Sequence, residues 1–104
     1  MLKTEAELKE VGQGSESWFV LKASEGRYCC YCFEGQHGLA VFASYRSADF
    51  FREFLLETAL EVEEVSLDQA RRIAFERKMV AVPKLSCLLV LDNIESPEVL
   101  PLIG

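Results

Sequence analysis

The distribution of apolar and polar residues at the start of the chain predicts a short helix and then three strands. Residues 4–11 begin with a helix-capping signal, Thr4 followed three residues later by Glu7, and Gly12 interrupts the pattern. Three segments rich in aromatic and other β-favouring residues follow, at 17–23, 27–33 and 39–43. Because the turn-forming residues 24–26 separate the first two segments, the sequence predicts that these two pair as a β-hairpin.

After residue 43 the apolar pattern changes to a helical period. Ser44 or Ser47 is suited to cap a helix that runs to about Ala59. At about 100° per residue, one broad arc of this helix is apolar. We expect this arc to face the core, and its members are Phe50, Phe51, Phe54, Leu55 and Ala59.

The remaining pattern predicts a strand, a second helix and a further strand. Residues 61–65 alternate between charged and apolar side chains, which is typical of a short edge strand. Ser66 and Gln69 form a capping box for a helix from Leu67 to about Val80. Residues 85–91 are almost continuously apolar, so we expect a strand that is covered on both faces.

Together these elements predict one α+β domain over residues 1–104. From residue 39 to residue 91 the order is βαβαβ, which implies right-handed crossovers. With the hairpin as its antiparallel part, the expected architecture is a mixed β-sheet with helices packed on it. Residues 1–14 are expected to form an N-terminal helix and linker, and residues 94–104 a packed C-terminal tail.

Composition and charge exclude several classes of function. The chain has 104 residues, of which 50% are hydrophobic and 27% charged, as in an ordinary globular domain. Its formal net charge of −6 disfavours binding to nucleic acids or to anionic membranes. There is no apolar run of the ~20 residues that a membrane span needs, and the first residues lack the apolar stretch of a signal peptide. We therefore expect a cytoplasmic protein.

The four cysteines raise the question of a metal or redox site. Three of them crowd into the segment Cys29-Cys30-Tyr31-Cys32, where a single residue separates Cys30 from Cys32 on one strand face. Paired zinc ligands usually have two to four residues between them, so this spacing favours small buried apolar side chains over a metal site. We expect no metal and no cofactor. The sequence leaves open whether four side chains converge, namely Cys30, Cys32, Cys87 and His37.

No catalytic constellation is evident, and we expect the protein not to be an enzyme. The one histidine, His37, lies in a glycine-flanked segment, where a solvated loop residue is the simpler interpretation. Two helix starts carry hydroxyl groups and one guanidinium, which are suited to bind an anion or a small molecule. The candidate ligand-binding residues are Ser44, Arg46, Ser47 and Ser66. A small-molecule or anion sensor is therefore the alternative function.

Two apolar stripes interrupt charged helix faces and favour a function in protein contacts. Leu56 and Leu60 lie on the charged side of the first predicted helix, and Phe75 and Met79 lie among charged residues of the second. The C-terminal tail, a second copy of the chain or another protein are the candidates to cover them. Because two-fold homo-oligomers are common, we expect a homodimer.

Short segments of the chain resemble a known domain. Val41-Phe42-Ala43-Ser44, the helix start Ala48-Asp49-Phe50 and the strand ending at Leu91-Asp92-Asn93 are similar to the N-terminal domain of the enhanced-serine-sensitivity protein family, over roughly residues 17–93. The chain departs from that family at Ala43, where the family often has threonine, and at Asp92-Asn93-Ile94, where an Asn-Pro step is expected. The resemblance implies an α+β domain with an accessory role and no catalytic residues.

Overall fold

The computed structural model describes residues 17–23, 26–55 and 59–103. The predicted N-terminal helix, and with it residues 1–14, lies outside the described residues. Within the described ranges the chain forms eight elements: β1 (Trp18–Lys22), β2 (Cys30–Phe33), β3 (Gln36–Val41), α1 (Tyr45–Phe54), β4 (Glu61–Val65), α2 (Leu67–Val80), β5 (Leu85–Val90) and β6 (Glu98–Pro101). These elements confirm the α+β class and the order of strands and helices after residue 39. Neither helix is long and apolar enough to cross a membrane.

The strands form a mixed four-stranded sheet and a smaller two-stranded one. The larger sheet has the order β2-β3-β5-β6, in which β3 and β5 are parallel and the outer pairs are antiparallel. The smaller sheet pairs β1 with β4. Phe19 and Phe42 exchange two backbone hydrogen bonds, of 2.9 and 2.8 Å, and so join β1 to the end of β3.

The predicted antiparallel pairing of 17–23 with 27–33 is confirmed only over residues 21–23 and 27–29, and the longer hairpin joins β2 to β3. A two-residue turn connects β2 to β3, and both of its residues, Glu34 and Gly35, have positive φ, at 51° and 83°. Two successive residues of this kind form the turn whose twist matches paired strands. Between the two segments predicted to pair, two backbone hydrogen bonds flank a bridge from Lys22 to Tyr28. The Cys29 N–H donates to the Leu21 carbonyl at 2.9 Å, and the Ala23 N–H donates to the Arg27 carbonyl at 2.7 Å.

The two helices cover opposite faces of the larger sheet. On the α2 face, Leu88 of β5 packs in one core cluster with Ala70 and Ala74. On the α1 face, Leu89 packs in a second cluster with Phe51 and other residues. Leu88 and Leu89 are both fully buried, which confirms that β5 is covered on both sides.

Helix α1 is shorter than predicted and is rotated relative to the predicted apolar arc. It ends at Phe54, and Phe50 and Phe54 are each 66% exposed although both were expected in the core. Ala48 and Phe51 provide the buried side, because the Phe51 ring packs against that of Phe42 at 5.4 Å.

The stripe predicted from Leu56 and Leu60 is not present as an exposed surface of α1. Leu60 lies beyond the end of the helix and is 8% exposed in the core, so its assignment to an interface is wrong. Leu56 lies outside the described residues.

Helix α2 has the bounds that the sequence predicts, and its capping box is formed. Ser66 accepts a hydrogen bond from the Gln69 backbone N–H, and the Gln69 side chain accepts one from the Ser66 N–H. At the other end, Lys78 Nζ donates to the carbonyls of Pro83 and Leu85, at 3.0 Å each, which ties the helix to the start of β5. The following tail pairs with β5 as β6.

Candidate functional site

The hydroxyl groups at both helix starts are engaged in capping. Ser44 Oγ accepts the Ser47 backbone N–H at 3.1 Å and donates to Ser47 Oγ at 3.0 Å. Ser66 is held in the capping box of α2. The serines predicted to bind a ligand therefore stabilise the local ends of the two helices, as N-caps ordinarily do.

The structure does not bring the four predicted ligand-binding residues into one site. Ser44, Arg46 and Ser47 lie at the start of α1, on one face of the sheet, whereas Ser66 starts α2 on the opposite face. Strand β1 also separates them, because Trp18 pairs with Val65 while its neighbour Phe19 pairs with Phe42.

Arg46 and Ser47 instead line a surface pocket of about 240 Å³ at the carboxyl ends of β3 and β5. Its other lining residues are mostly apolar: Phe50, Phe51, Leu91, Asp92 and Ile94. The Asp92 carboxylate accepts the Ala43 backbone N–H at 2.8 Å and so joins the segments that follow the two strands. Such edges are common ligand sites in open α/β sheets.

The pocket at Arg46 is poorly suited to a simple anion. Asp92 lines the pocket together with Arg46, and its negatively charged carboxylate would repel an anion bound there. Sequence reasoning found Arg46 and Ser47 but missed Asp92 and Ile94. These two follow β5, and their approach to α1 depends on the pairing of β5 with β3.

A second exposed region lies on the outer face of α2. Three of its side chains are largely exposed: Phe75 at 57%, Met79 at 68% and Val80 at 77%. The C-terminal strand β6 does not cover them. They line a depression of about 380 Å³ together with residues of α2 and of the segment before β2, namely Gly26, Tyr28, Ile73, Glu76 and Arg77. We call Phe75, Met79 and Val80 the α2 patch.

Two charged residues, Glu76 and Arg77, line the depression at the α2 patch, and Tyr28 lines it as well. Burial raises the pKa of Tyr28, and the hydrogen bond that its hydroxyl donates to the Glu63 carboxylate, at 3.1 Å, raises it further, as do the negative charges of Glu63 and Glu76. The Tyr28 hydroxyl therefore keeps its proton and its bond to Glu63 at neutral pH. Arg71 donates to the Pro101 carbonyl at 3.1 Å, which anchors the tail beside the helix.

The cysteines and the histidine predicted as convergent do not meet as a group. Cys30 and Cys32 lie on the α2 face of the sheet, whereas Cys87 belongs to the opposite cluster, where its thiol contacts the His37 carbonyl at 3.6 Å. Burial raises the pKa of both Cys30 and Cys87. Within the described residues, no three side chains of His, Cys, Asp or Glu are grouped as metal ligands.

Cys32 and His37 form the one pair from that set whose side chains meet. They are directly opposite each other on β2 and β3, with 3.7 Å between Cys32 Sγ and His37 Nε2. Cys32 is exposed, so its prediction as a small buried apolar residue is wrong, whereas for Cys87, 3% exposed, that prediction is confirmed.

The chain matches no known protein family model and no curated protein sequence. Its resemblance to the N-terminal domain of the enhanced-serine-sensitivity protein family therefore stays a prediction. The surfaces and pockets of the fold itself are what bear on function.

Proposed function

We propose that this protein is a non-catalytic interaction module that forms a homodimer through the α2 patch. The observation that carries the proposal is the exposure of Phe75, Met79 and Val80, three large apolar side chains within two turns of one helix. Contiguous exposed apolar surface of this kind commonly marks a site of protein contact.

The α2 patch can pack against a second copy of itself. Phe75 and Met79 are four residues apart and so lie on the same face of α2. When two α2 helices pack antiparallel about a two-fold axis midway between these residues, Phe75 of one copy lies opposite Met79 of the other. The patch is thus complementary to itself, which is what a two-fold interface requires.

The size of the patch favours a dimer of modest stability. Standard interfaces bury about 800 Å² on each partner, which is more than the face of one helix of this length ordinarily supplies. We therefore expect a reversible dimer that dissociates on dilution.

Sedimentation velocity over a series of protein concentrations tests the proposal. The native chain is expected to shift from monomer to dimer as concentration rises, and Phe75→Glu to stay monomeric. Phe54→Glu is the matched control, because Phe54 is similarly exposed but lies on α1. A native chain that is monomeric throughout, or a Phe75→Glu variant that dimerises normally, contradicts the proposal.

The pocket at Arg46 supports a second candidate function, the binding of a small amphipathic molecule. Its apolar lining suits a hydrocarbon group, while Arg46 and Asp92 offer one charge of each sign on its rim. This lining favours a compound that has an apolar side chain and both a positive and a negative group over phosphate or sulfate. NMR titration with leucine and with phosphate distinguishes these: leucine is expected to shift amide signals around Leu91 and Ile94, and Arg46→Ala to abolish the shifts.

We also propose that the protein acts in the cytoplasm. None of the four cysteines, all of which lie in the described residues, forms a disulfide. Reduced thiols are typical of a compartment that keeps glutathione and thioredoxin reduced.

A further inference from the structure

The contact between Cys32 and His37 is a feature that neither the core nor the α2 patch accounts for. The two residues face each other across the antiparallel ladder of β2 and β3, and neither belongs to the two core clusters. Cys32 is exposed and His37 half-buried, so solutes reach the pair from solvent. A thiolate sulfur and a neutral imidazole nitrogen are two of the ligands that zinc prefers.

The separation of the two side chains fits one metal ion between them. With ordinary zinc–sulfur and zinc–nitrogen bond lengths of about 2.3 and 2.0–2.1 Å, a sulfur–nitrogen distance of 3.7 Å corresponds to an angle at the metal of about 115°. This is close to the tetrahedral angle of about 109° that four-coordinate zinc adopts. One ion can therefore bond to both atoms at their present separation.

We propose that Cys32 and His37 bind one Zn²⁺ ion per chain as a bidentate site. On binding, the Cys32 thiol loses its proton to water and its sulfur bonds to the ion, while the lone pair of neutral His37 Nε2 forms the second bond. The hydrated ion loses water until it is four-coordinate, and water holds the two positions that Cys32 and His37 do not fill. No oxidation or reduction takes place.

The β2–β3 hairpin preorganises this site. The turn at Glu34 and Gly35 fixes the register that places Cys32 opposite His37, and β3 is itself held by β5 on its other side. With two protein ligands instead of four, we expect an affinity below that of a structural zinc site, with a dissociation constant in the micromolar range. The site is independent of the proposed dimer, because its ligands come from one chain.

Cobalt(II), which replaces zinc and absorbs visible light, provides the direct test on the full chain. We expect a sulfur-to-cobalt charge-transfer band that saturates at one ion per chain and that zinc removes by displacement. Cys32→Ser and His37→Gln are each expected to abolish the band. Cys30→Ser is the matched control and is expected to retain it, because Cys30 lies two residues away on the same face and its thiol contacts the Tyr28 carbonyl.

Several results would overturn the proposal. These are the absence of a charge-transfer band in the native chain, its survival in Cys32→Ser, its loss in a folded Cys30→Ser, or saturation at one ion per two chains. Circular dichroism establishes that each variant is folded. Phe75→Glu separates the two proposals, since this variant is expected to bind cobalt normally whether or not it dimerises.

Discussion

Phe51 of α1 packs its ring on Phe42 at the end of β3, with ring centroids 5.4 Å apart and an interplanar angle of 48°. Both side chains are buried, and Phe51 also contacts Tyr31 of β2, edge to face, at 6.0 Å. Through these contacts one side chain holds α1 against the sheet. The same rotation of the helix turns Phe50 and Phe54 towards solvent.

We expect Phe51→Ala to destabilise the fold by about 3–5 kcal/mol, because it leaves a cavity between α1 and the sheet. Phe54→Ala, on the same helix, is expected to cost less than about 1 kcal/mol, since this ring is 66% exposed. Urea unfolding followed by circular dichroism measures both. Equal losses of stability in the two variants would contradict the assigned rotation of α1.

Gly38 allows β3 to approach β5 closely. A Cβ atom at this position would lie 2.8 Å from Leu89 Cγ, 2.9 Å from Cys87 Sγ and 3.0 Å from the Cys87 carbonyl oxygen. We expect Gly38→Ala to lower the free energy of unfolding by about 1–3 kcal/mol through overpacking. Ser86→Ala is the control, because Ser86 is exposed on the neighbouring strand and its replacement is expected to change stability little. Thermal unfolding measures both variants. If Gly38→Ala unfolds at the same temperature as the native chain, the two strands are further apart than the structure places them.

The elements that the sequence predicts well are those whose signals are local. Ser66 and Gln69, which are three residues apart, indicate the start of α2, and the apolar run at 85–91 indicates a strand covered on both faces. Helix α1 is different, because Phe50, Phe51 and Phe54 are all apolar and the pattern does not single out the one that packs. Phe51 is the one that packs because its ring meets that of Phe42, which directly follows β3 and lies far from α1's own pattern of residues.

The candidate sites depend on pairings that the sequence does not specify. The pairing of β2 with β3 requires a two-residue turn in which Glu34 has a positive φ. Glycine adopts such a φ more readily than glutamate, so the sequence does not indicate this turn clearly. This pairing sets Cys32 opposite His37 and leaves Cys87 on the other face of the sheet. Likewise, Asp92 and Arg46 line one pocket because β3 and β5 are adjacent and parallel.

The cysteines are expected to differ in their reactivity towards a thiol reagent. Burial raises the pKa of Cys30 and Cys87, so at pH 8 the reactive thiolate is disfavoured at both, whereas Cys32 is exposed. Cys32 should therefore react before Cys30 and Cys87 in the native protein, and the differences should disappear in urea. Raising the pH should speed the reaction of Cys30 and Cys87, because a larger fraction is then ionised. Mass spectrometry of labelled peptides identifies the order, and early labelling of Cys87 would contradict its burial.

The proposed dimer also predicts which residues face each other. Because Phe75 lies opposite Met79 of the other copy, Phe75→Glu and Met79→Lys should each weaken dimerisation, since each buries a charge against an apolar side chain. The double variant places a glutamate opposite a lysine on both sides of the two-fold axis and should recover part of the lost affinity. Because exposed ion pairs contribute about 0–1 kcal/mol each, the expected recovery is several-fold in the dissociation constant and shrinks at high salt. Sedimentation velocity at low and high ionic strength measures it. If the double variant is weaker than both single variants, Phe75 and Met79 do not face each other across the two-fold axis.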